Sequence, residues 1–363
     1  MAPLAALAER TLQLCRIESP IGHEARIADH VEAWARGHFG PQEIFRLSHS
    51  LVLGDLSDPR PAVALVGHLD TVPAHPNDAP PRIEGDRLYG LGASDMKGGL
   101  AVMMSLAEGL PRAALPVNLV LVLYEREEGP YLENGLGPLL DAVPALSKVR
   151  FGIAMEPTDN VVQVGCVGTI HATVRFTGRS AHSARPWQGH NAVHAAGPLL
   201  SELLSLPPRE VSFDGFAFRE VFSVTRAEGG RARNVVPDRF ELNLNYRFAP
   251  GKSLEQAQRD VLALVAGRAE VTFTDLSPSG RVCSDNAFFR ALLQTTGLPA
   301  EAKQAWTDVA RLGERGIDAV NFGPGETAQA HQANESASVA ALGVAWEKLA
   351  AFLTSDAIQF SQK

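Results

Sequence analysis

The sequence predicts an α/β fold, a mainly parallel mixed sheet flanked by helices, with a smaller α+β domain inserted into it. Residues 62–66 and 117–123 are continuous apolar runs rich in β-branched side chains, as expected of strands buried on both faces. Residues 97–110 lie between them and have the pattern of a helix, so the three segments form the strand–helix–strand unit of parallel sheets. From about residue 168 polar and apolar residues alternate, which predicts a sheet with one exposed face.

The α/β pattern of the first domain continues at 151–155, is interrupted, and returns after Pro278. In the returning segment, helices are predicted at 286–296 and 339–354, and a short strand is predicted between them at 319–322. We therefore predict one host domain formed by residues 1–167 and 278–363.

The inserted domain, predicted for residues 168–277, has the element order β-α-β-β-α-β. Its alternating first strand, first helix, strand pair and second helix are predicted at 169–177, 191–206, 220–226, 240–248 and 253–266. This order is typical of a small antiparallel, ferredoxin-like α+β domain.

Composition and charge exclude several classes of protein. The 363 residues include 33 Lys and Arg against 41 Asp and Glu, a net charge of −8, which gives no general attraction to nucleic acid or anionic membranes. No uninterrupted apolar run approaches the roughly 18 residues of a membrane-spanning helix, and the N-terminal segment has the pattern of an amphipathic helix rather than a secretory signal. Cys15, Cys166 and Cys283 are far apart, which indicates free thiols. We expect a cytoplasmic protein without nucleic-acid or membrane partners.

Residues that can bind divalent metals follow the predicted strands, where ligands of open α/β sheets gather. These residues are His68, Asp70, Asp95, Glu127, Glu128, Glu156 and, near the C-terminus, His331. Imidazoles and carboxylates without a thiolate suit zinc, cobalt or manganese. Each segment alone has a simpler explanation, such as a turn, a helix cap or an exposed pair of carboxylates. Their joint occurrence in this order is what predicts a metal site.

These segments together resemble the M20 family of co-catalytic metallopeptidases and amidohydrolases over nearly the whole chain. The matching segments are HLDTVP from His68, GLGASDMKGG from Gly90, EEG from Glu127, EPT from Glu156, GRSAHSARP from Gly178 and the final His331. Further patterns (HSARPWQGHNAVH, GGRARNVVPD, NYRFAP and WTDVARL) resemble the succinyl-diaminopimelate desuccinylases of that family, in the shorter form of actinobacteria. The resemblance implies hydrolysis of N-succinyl-L,L-2,6-diaminopimelate to succinate and L,L-diaminopimelate, a step of lysine and diaminopimelate biosynthesis.

The resemblance also implies two divalent metal ions per subunit, with zinc as the expected metal and cobalt as the alternative. Asp95 would bridge the two ions. His68 and Glu156 would complete one site, and Glu128 and His331 the other.

Three further residues take catalytic roles by the same resemblance. Glu127 would be the general base, Asp70 would orient His68, and His182 would stabilise the developing oxyanion. In this family the inserted domain forms a homodimer and covers the active site, so the resemblance implies that His182 acts in the site of the opposite subunit.

A succinylated diamino acid carries several carboxylates, and an acidic protein must provide local cations and donors for them. Arg185, Asn234, Arg247 and Thr307 lie in family-like motifs and are the predicted substrate-binding residues, with Arg suited to bidentate contacts.

Two departures from the family pattern leave alternatives open. Arg126 stands where an Asp is common, and the segment from Gly165 to Gly168 lacks the paired arginines often found in desuccinylases. The second departure keeps an N-acetyl-ornithine or N-acyl-lysine deacetylase, or an M20 dipeptidase, as an alternative function. A third possibility is a non-catalytic metal-binding dimer. The presence of Glu127 argues against it, because a binding protein needs no general base.

Overall fold

The computed structural model describes residues 4–357, and these form two compact units. The inserted unit comprises Cys166–Gly280 and Gln304–Trp306. The host unit comprises the described residues before Cys166, together with Arg281–Lys303 and the described residues from Thr307 onward. The outermost residues of the predicted host domain, 1–3 and 358–363, lie outside the described part of the chain.

The N-terminal part of the host unit contains four helices and eight strands among the described residues. The helices are α1 (Leu4–Cys15), α2 (Ala25–Ala35), α3 (Gly98–Gly109) and α4 (Leu136–Ala142). The strands are β1 (Ile44–Leu47), β2 (Ser50–Leu53), β3 (Ala62–His68), β4 (Arg82–Glu84), β5 (Arg87–Tyr89), β6 (Asn118–Tyr124), β7 (Val149–Ala154) and β8 (Val162–Val164).

The remaining helices and strands lie in the inserted unit and in the returning host segment. The inserted unit contains β9 (Gly168–Thr177), α5 (Ala192–Ala195), α6 (Gly197–Ser205), β10 (Arg209–Phe213), β11 (Phe216–Gly229), β12 (Arg239–Phe248), α7 (Leu254–Val265) and β13 (Glu270–Ser277). The returning segment contains α8 (Ala287–Thr296), β14 (Ala300–Ala302), α9 (Val309–Glu314), β15 (Ala319–Asn321), β16 (Ser336–Ser338) and α10 (Val339–Leu353).

The host unit is built on an eight-stranded mixed sheet in the order β1-β2-β6-β3-β7-β15-β8-β14. The central strands β6, β3, β7 and β15 are parallel, whereas the β1–β2 hairpin pairs antiparallel at one edge. Every residue of β3 and β6 is buried, which explains their continuous apolar sequences. The predicted α/β host fold with a mainly parallel sheet is confirmed.

The inserted unit contains a five-stranded antiparallel sheet in the order β10-β11-β12-β9-β13. Burial alternates along most of β9, as the sequence pattern predicts, and its buried side chains pack against α5, α6 and α7. The predicted antiparallel α+β domain is confirmed. The helix predicted at 191–206 is divided at Ala196, and Pro198 stands in the first turn of its second half, α6.

Several short elements were not predicted from the sequence. They are the β1–β2 hairpin, the edge strand β10, and a small sheet in which β5 pairs with both β4 and β16. Their strands are only three to five residues long, too short for a clear periodic pattern. Within residues 4–357, no helix combines the length and the apolar character needed to cross a bilayer.

Candidate active site

Side chains from three adjacent parallel strands meet at the carboxyl edge of the host sheet. His68 is the last residue of β3, and Glu156 lies just beyond the end of β7. Glu127 and Glu128 lie in the loop that follows β6. Because β6, β3 and β7 are neighbours and run in the same direction, their carboxyl ends lie side by side. The sheet topology therefore explains why these four residues come together.

Asp95 reaches the same edge from the turn Ala93–Lys97, which leads directly into α3. One of its carboxylate oxygens, Oδ1, lies 3.1 Å from Nε2 of His68. The position of α3 depends on Gly99, since a Cβ at this residue would lie 2.5 Å from the carbonyl oxygen of Met155. The missing side chain thus lets the start of α3 approach the strand that precedes Glu156.

His331 is contributed by a loop of the returning host segment. Its Nε2 lies 3.0 Å from Oε1 of Glu128 and 3.7 Å from Oδ2 of Asp95. The backbone of His331 is left-handed, with φ of 62°. About half of its side chain, 53%, remains exposed, in contrast to the buried ring of His68.

Two groups of three side chains are close enough together to hold a metal ion, and both contain Asp95. Within each group, one ligand atom from every residue lies within 4.8 Å of the others. The groups are His68, Asp95, Glu156 and Asp95, Glu128, His331. A third group, His68, Glu127 and Glu128, overlaps them. Imidazole and carboxylate donors without a thiolate fit zinc or cobalt, so this acid–imidazole cluster is able to hold divalent metal.

Burial perturbs the carboxyl groups of the cluster. Desolvation raises the pKa of Glu127 well above its ordinary value, opposed by the charge of His68 and reinforced by those of Glu156 and Glu128. Desolvation, reinforced by the charge of Asp95, raises the pKa of Glu156 to about 7. Buried carboxylates at such short range repel one another unless positive charge compensates them. Without cations, protons provide that compensation.

The same negative charges also raise the pKa of the two imidazoles, because they favour the protonated ring. The hydrogen bond with Glu128 raises the pKa of His331 to about 9, and Asp95 adds to the effect. Burial by itself would lower the pKa of His68, but the hydrogen bond with Asp95 and the charge of Glu127 outweigh it and raise this pKa well above its usual range. Both rings therefore contact carboxylates and have perturbed pKa values, which are common at functional sites.

Asp70 contacts both parts of the site through different atoms. Its backbone carbonyl oxygen lies 3.0 Å from Nδ1 of His68, whereas its nearer carboxylate oxygen lies 3.6 Å from that nitrogen. The carboxylate accepts hydrogen bonds from the backbone N–H groups of Glu127 and Glu128, each at 3.0 Å. Asp70 thus holds the turn of the two glutamates, a contact that sequence analysis did not anticipate.

Glu335 is a buried carboxylate that sequence analysis also missed. It accepts hydrogen bonds from the backbone N–H groups of Gly92, Ser94 and Asp95 at 2.7–2.9 Å. Burial raises its pKa to about 7, although these three N–H groups act in the opposite direction. Its position four residues after His331 was the available signal, but a glutamate after an asparagine in a loop is ordinarily solvated.

Lys303 provides a buried positive charge next to the cluster. Its ammonium group donates a hydrogen bond of 3.1 Å to the carbonyl oxygen of Pro157, the residue after Glu156. Its charge opposes the desolvation that raises the pKa of Glu156, and it is one of the charges that outweigh desolvation and lower the pKa of Asp95. It therefore both fixes the turn after β7 and offsets part of the negative charge.

The predicted substrate-binding residues and His182 are divided between the two units. Thr307 belongs to the host unit and is buried at the start of the segment leading into α9. His182, Arg185, Asn234 and Arg247 belong to the inserted unit. There Ser183 donates its backbone N–H to the carbonyl of Asn234, which places His182 and Asn234 on paired segments. Their roles toward the acid–imidazole cluster stay predictions.

The side chains of these four residues differ in environment. His182, Arg185 and Asn234 are exposed within the inserted unit. Arg247 on β12 is partly buried, and its Nε donates to the side-chain oxygen of Asn245 at 3.1 Å. Burial lowers the pKa of Arg247, an environment that favours an anionic partner for this guanidinium.

A mainly parallel sheet with carboxylates and imidazoles converging at its carboxyl edge defines an α/β protein with a candidate metal centre. The model of peptidase family M20/M25/M40 matches residues 64–355. The chain belongs to this family, and the resemblance noted from the sequence motifs is confirmed.

Three proteins from other organisms align with most of this chain. The chain is 38% identical over 346 residues to a Mycobacterium tuberculosis protein whose name, succinyl-diaminopimelate desuccinylase, is provisional, covering 95% of this chain and 97% of that one. It is 35% identical over 336 residues to the succinyl-diaminopimelate desuccinylase of Corynebacterium glutamicum, covering 91% of each chain. It is also 33% identical over 304 residues to the acetylornithine deacetylase of Myxococcus xanthus, covering 78% of this chain and 77% of the relative.

The fold is shared with solved structures at lower sequence identity. A tripeptidase from Staphylococcus aureus superposes with a TM-score of 0.79 at 20% identity, covering 97% of this chain and 98% of the other. This likeness supports the fold assigned above.

Proposed function

We propose that the protein is a metal-dependent amidohydrolase that cleaves the succinyl amide of N-succinyl-L,L-2,6-diaminopimelate, releasing succinate and L,L-diaminopimelate. The observation that carries the proposal is the pair of three-residue groups that share Asp95, with Glu127 beside them. The choice of substrate is supported by two relatives that bear the desuccinylase name and align over more than nine-tenths of this chain.

Two divalent ions, with zinc as the expected metal and cobalt as the alternative, are proposed for the two groups. Asp95 would serve both ions, His68 and Glu156 would complete one set, and Glu128 and His331 the other. When bound, such ions polarise an amide carbonyl and make a water molecule more acidic. Asp70 would keep Glu127 and Glu128 in place through its two backbone hydrogen bonds.

Glu127 is the proposed proton carrier. Its carboxylate would take a proton from the attacking water and deliver it to the nitrogen of the leaving amine, so that the amide and water become a carboxylate and an amine. Its raised pKa makes Glu127 a stronger base toward the proton of the water than an ordinary carboxylate would be.

The inserted unit is proposed to complete the site in a homodimer. His182 would donate a hydrogen bond to the oxygen that gains charge during the attack, in the active site of the partner subunit. Arg185, Asn234, Arg247 and Thr307 would receive the carboxylates of the substrate.

A panel of four substrates tests the choice of acyl group and amine separately. Succinyl and acetyl amides of L,L-diaminopimelate and of L-ornithine are compared by kcat/KM, on protein freed of metal and reloaded with zinc or cobalt. We expect the succinyl-diaminopimelate compound to exceed N-acetyl-ornithine by at least about 100-fold, since a site built to pair a carboxylate is left with unpaired cations when the ligand lacks it. A Glu127→Gln preparation controls for contaminating hydrolases.

The second candidate function is an N-acetyl-ornithine deacetylase. The segment from Gly165 to Gly168, in which Cys166 and Val167 are fully buried, lacks the paired arginines often seen in desuccinylases. Equal or reversed preference in the panel would favour this candidate. Absence of hydrolysis with every substrate and metal would favour a non-catalytic protein.

A further inference from the structure

The carboxylate of Glu335 lies directly against the backbone of the turn that carries Asp95. Its Oε1 accepts the backbone N–H groups of Ser94 at 2.7 Å and of Asp95 at 2.8 Å, and its Oε2 accepts that of Gly92 at 2.9 Å. Only 2% of Glu335 is exposed. Both carboxylate oxygens therefore accept hydrogen bonds from one short stretch of backbone. This stretch lies 240 to 243 residues before Glu335 in the sequence.

These three N–H groups need an acceptor from outside the turn. A buried backbone N–H group without a partner is costly, so each of these groups requires an acceptor. The turn lies immediately before α3, and Gly92 has a left-handed backbone with φ of 83°. A carboxylate that accepts several N–H groups favours this conformation over alternatives that would orient Asp95 differently.

Glu335 is itself firmly anchored. Its carbonyl oxygen accepts the N–H of Gly90 at 2.9 Å, so backbone and side chain both bind the segment before α3. The next three residues form β16, which pairs with β5. The pairing of β16 with β5 thus fixes the position from which the carboxylate of Glu335 contacts the turn.

The consequence concerns both oxygens of Asp95. Oδ1 lies 3.1 Å from Nε2 of His68, and Oδ2 lies 3.7 Å from Nε2 of His331. A rotation or shift of the turn would move both oxygens at once, because they belong to one carboxylate. Asp95 belongs to both three-residue groups proposed as metal sites, so such a movement would disturb both groups.

We infer that Glu335 is a positioning residue that holds the shared carboxylate of Asp95 and thereby sets the affinity of both metal sites together. The inference rests on the two-metal part of the proposed function but not on the identity of the substrate. Glu335 would act without binding metal, since among residues 4–357 it belongs to none of the groups suited to a metal ion.

Metal titration of the full-length apoprotein tests this inference. Zn²⁺ is titrated calorimetrically into wild type, Glu335→Gln and His331→Ala. A glutamine keeps the size of the side chain but turns an NH₂ group toward a backbone N–H, so the clamp is broken. We expect both zinc dissociation constants of Glu335→Gln to rise by about 10–100-fold, the usual effect of removing such a supporting contact. His331→Ala, which removes one ligand, should weaken one site far more than the other.

The matched control is Glu220→Gln in the inserted unit. Glu220 is also a buried glutamate, 5% exposed, that accepts a backbone N–H, in this case from Ala249 at 3.0 Å. This control makes the same chemical change and should lower thermal stability without altering either zinc dissociation constant. Equal losses of zinc affinity in Glu335→Gln and Glu220→Gln would overturn the inference, because general destabilisation would then explain both.

The remaining outcomes separate the inference from the proposed function. Unchanged zinc affinities in Glu335→Gln, or weakening of one site only, would overturn the inference while leaving the two-metal proposal intact. A wild-type protein that binds fewer than two zinc ions would overturn both. If Glu335→Gln does not fold, hydrogen exchange of the wild-type apoprotein decides: slow exchange in the peptide containing Ser94 and Asp95 supports the clamp, and fast exchange refutes it.

Discussion

Glu128 and His331 meet through an oxygen–nitrogen contact of 3.0 Å although 203 residues separate them along the chain. One follows a central strand of the host sheet, and the other lies in a loop of the segment that returns after the insertion. The contact brings the last predicted ligand to the cluster.

His331→Ala should remove one metal ion and leave the other, because this imidazole belongs to only one of the two groups. Asp95→Ala should lose both ions, since its carboxylate belongs to both. Metal content after equilibrium dialysis measures the difference, with the exposed His194→Ala as control. An Asp95 variant that retains two tightly bound ions would contradict the bridging role.

Glu127→Gln should retain both metal ions while kcat falls by about 10²–10⁴-fold, the range for loss of a positioned base. The test is needed because the carboxylate of Glu127 lies as close to its neighbours as a ligand would. Rates and metal content are measured on the same preparation. Loss of an ion from this variant would show that Glu127 is a ligand instead.

His182→Ala and Glu127→Ala should each be inactive as homodimers but regain activity when their subunits are mixed. If His182 acts across the dimer, a mixed dimer has one intact site, so statistical exchange restores at most about a quarter of wild-type activity. Native mass spectrometry confirms the exchange. Mixed dimers without activity would place His182 in its own subunit's site or outside catalysis.

Gly99→Ala should destabilise the host unit by about 1–3 kcal/mol, the cost of overpacking a filled interior. The added Cβ would lie 2.5 Å from the carbonyl oxygen of Met155 and force α3 away. Gly109→Ala in the same helix is the control, since its Cβ would meet only Trp346 at 3.6 Å. Urea unfolding compares the two variants, and equal stabilities would contradict the packing explanation.

Glu220 should make stability depend on pH in the acidic range. Burial alone would raise the pKa of Glu220, but the N–H of Ala249 and the ammonium of Lys252 outweigh burial and lower it. Because the pKa is lower in the folded state, the stabilisation is complete above the unfolded value of about 4.3 and is lost as pH falls through the folded value.

Thermal unfolding at several pH values between about 5 and 3 measures this effect. Wild type should lose more stability over this range than Glu220→Gln, whose amide does not titrate. The exposed Glu210→Gln serves as control and should follow wild type. Parallel curves for wild type and Glu220→Gln would contradict the linkage.

The sequence predicted the elements that carry a strong local pattern. The continuous runs of β3 and β6 and the alternation of β9 are properties of neighbouring residues, so periodicity indicates them directly. That the proposed ligands would come together was predictable for a related reason, because each follows a predicted strand or completes a family motif.

Contacts that depend on distant pairing could not be predicted in this way. Glu335 accepts the backbone N–H of Asp95 next to the pairing of β16 with β5, and nothing in its neighbours along the chain distinguishes it from a solvated glutamate. Asp70 was expected to orient His68, yet its carboxylate also holds the turn of Glu127 and Glu128. Both contacts use backbone N–H groups, whose availability the residue names do not reveal.

The place of β15 between β7 and β8 has a consequence for how the protein is made. A ribosome would release His68, Asp95 and Glu156, and then the entire inserted unit, before β15 exists. The gap in the host sheet therefore stays open while a complete second unit can fold, and His331 emerges later still. The newborn chain therefore contains His68, Asp95 and Glu156 well before His331, so the first of the two groups that share Asp95 is synthesised in full before the second.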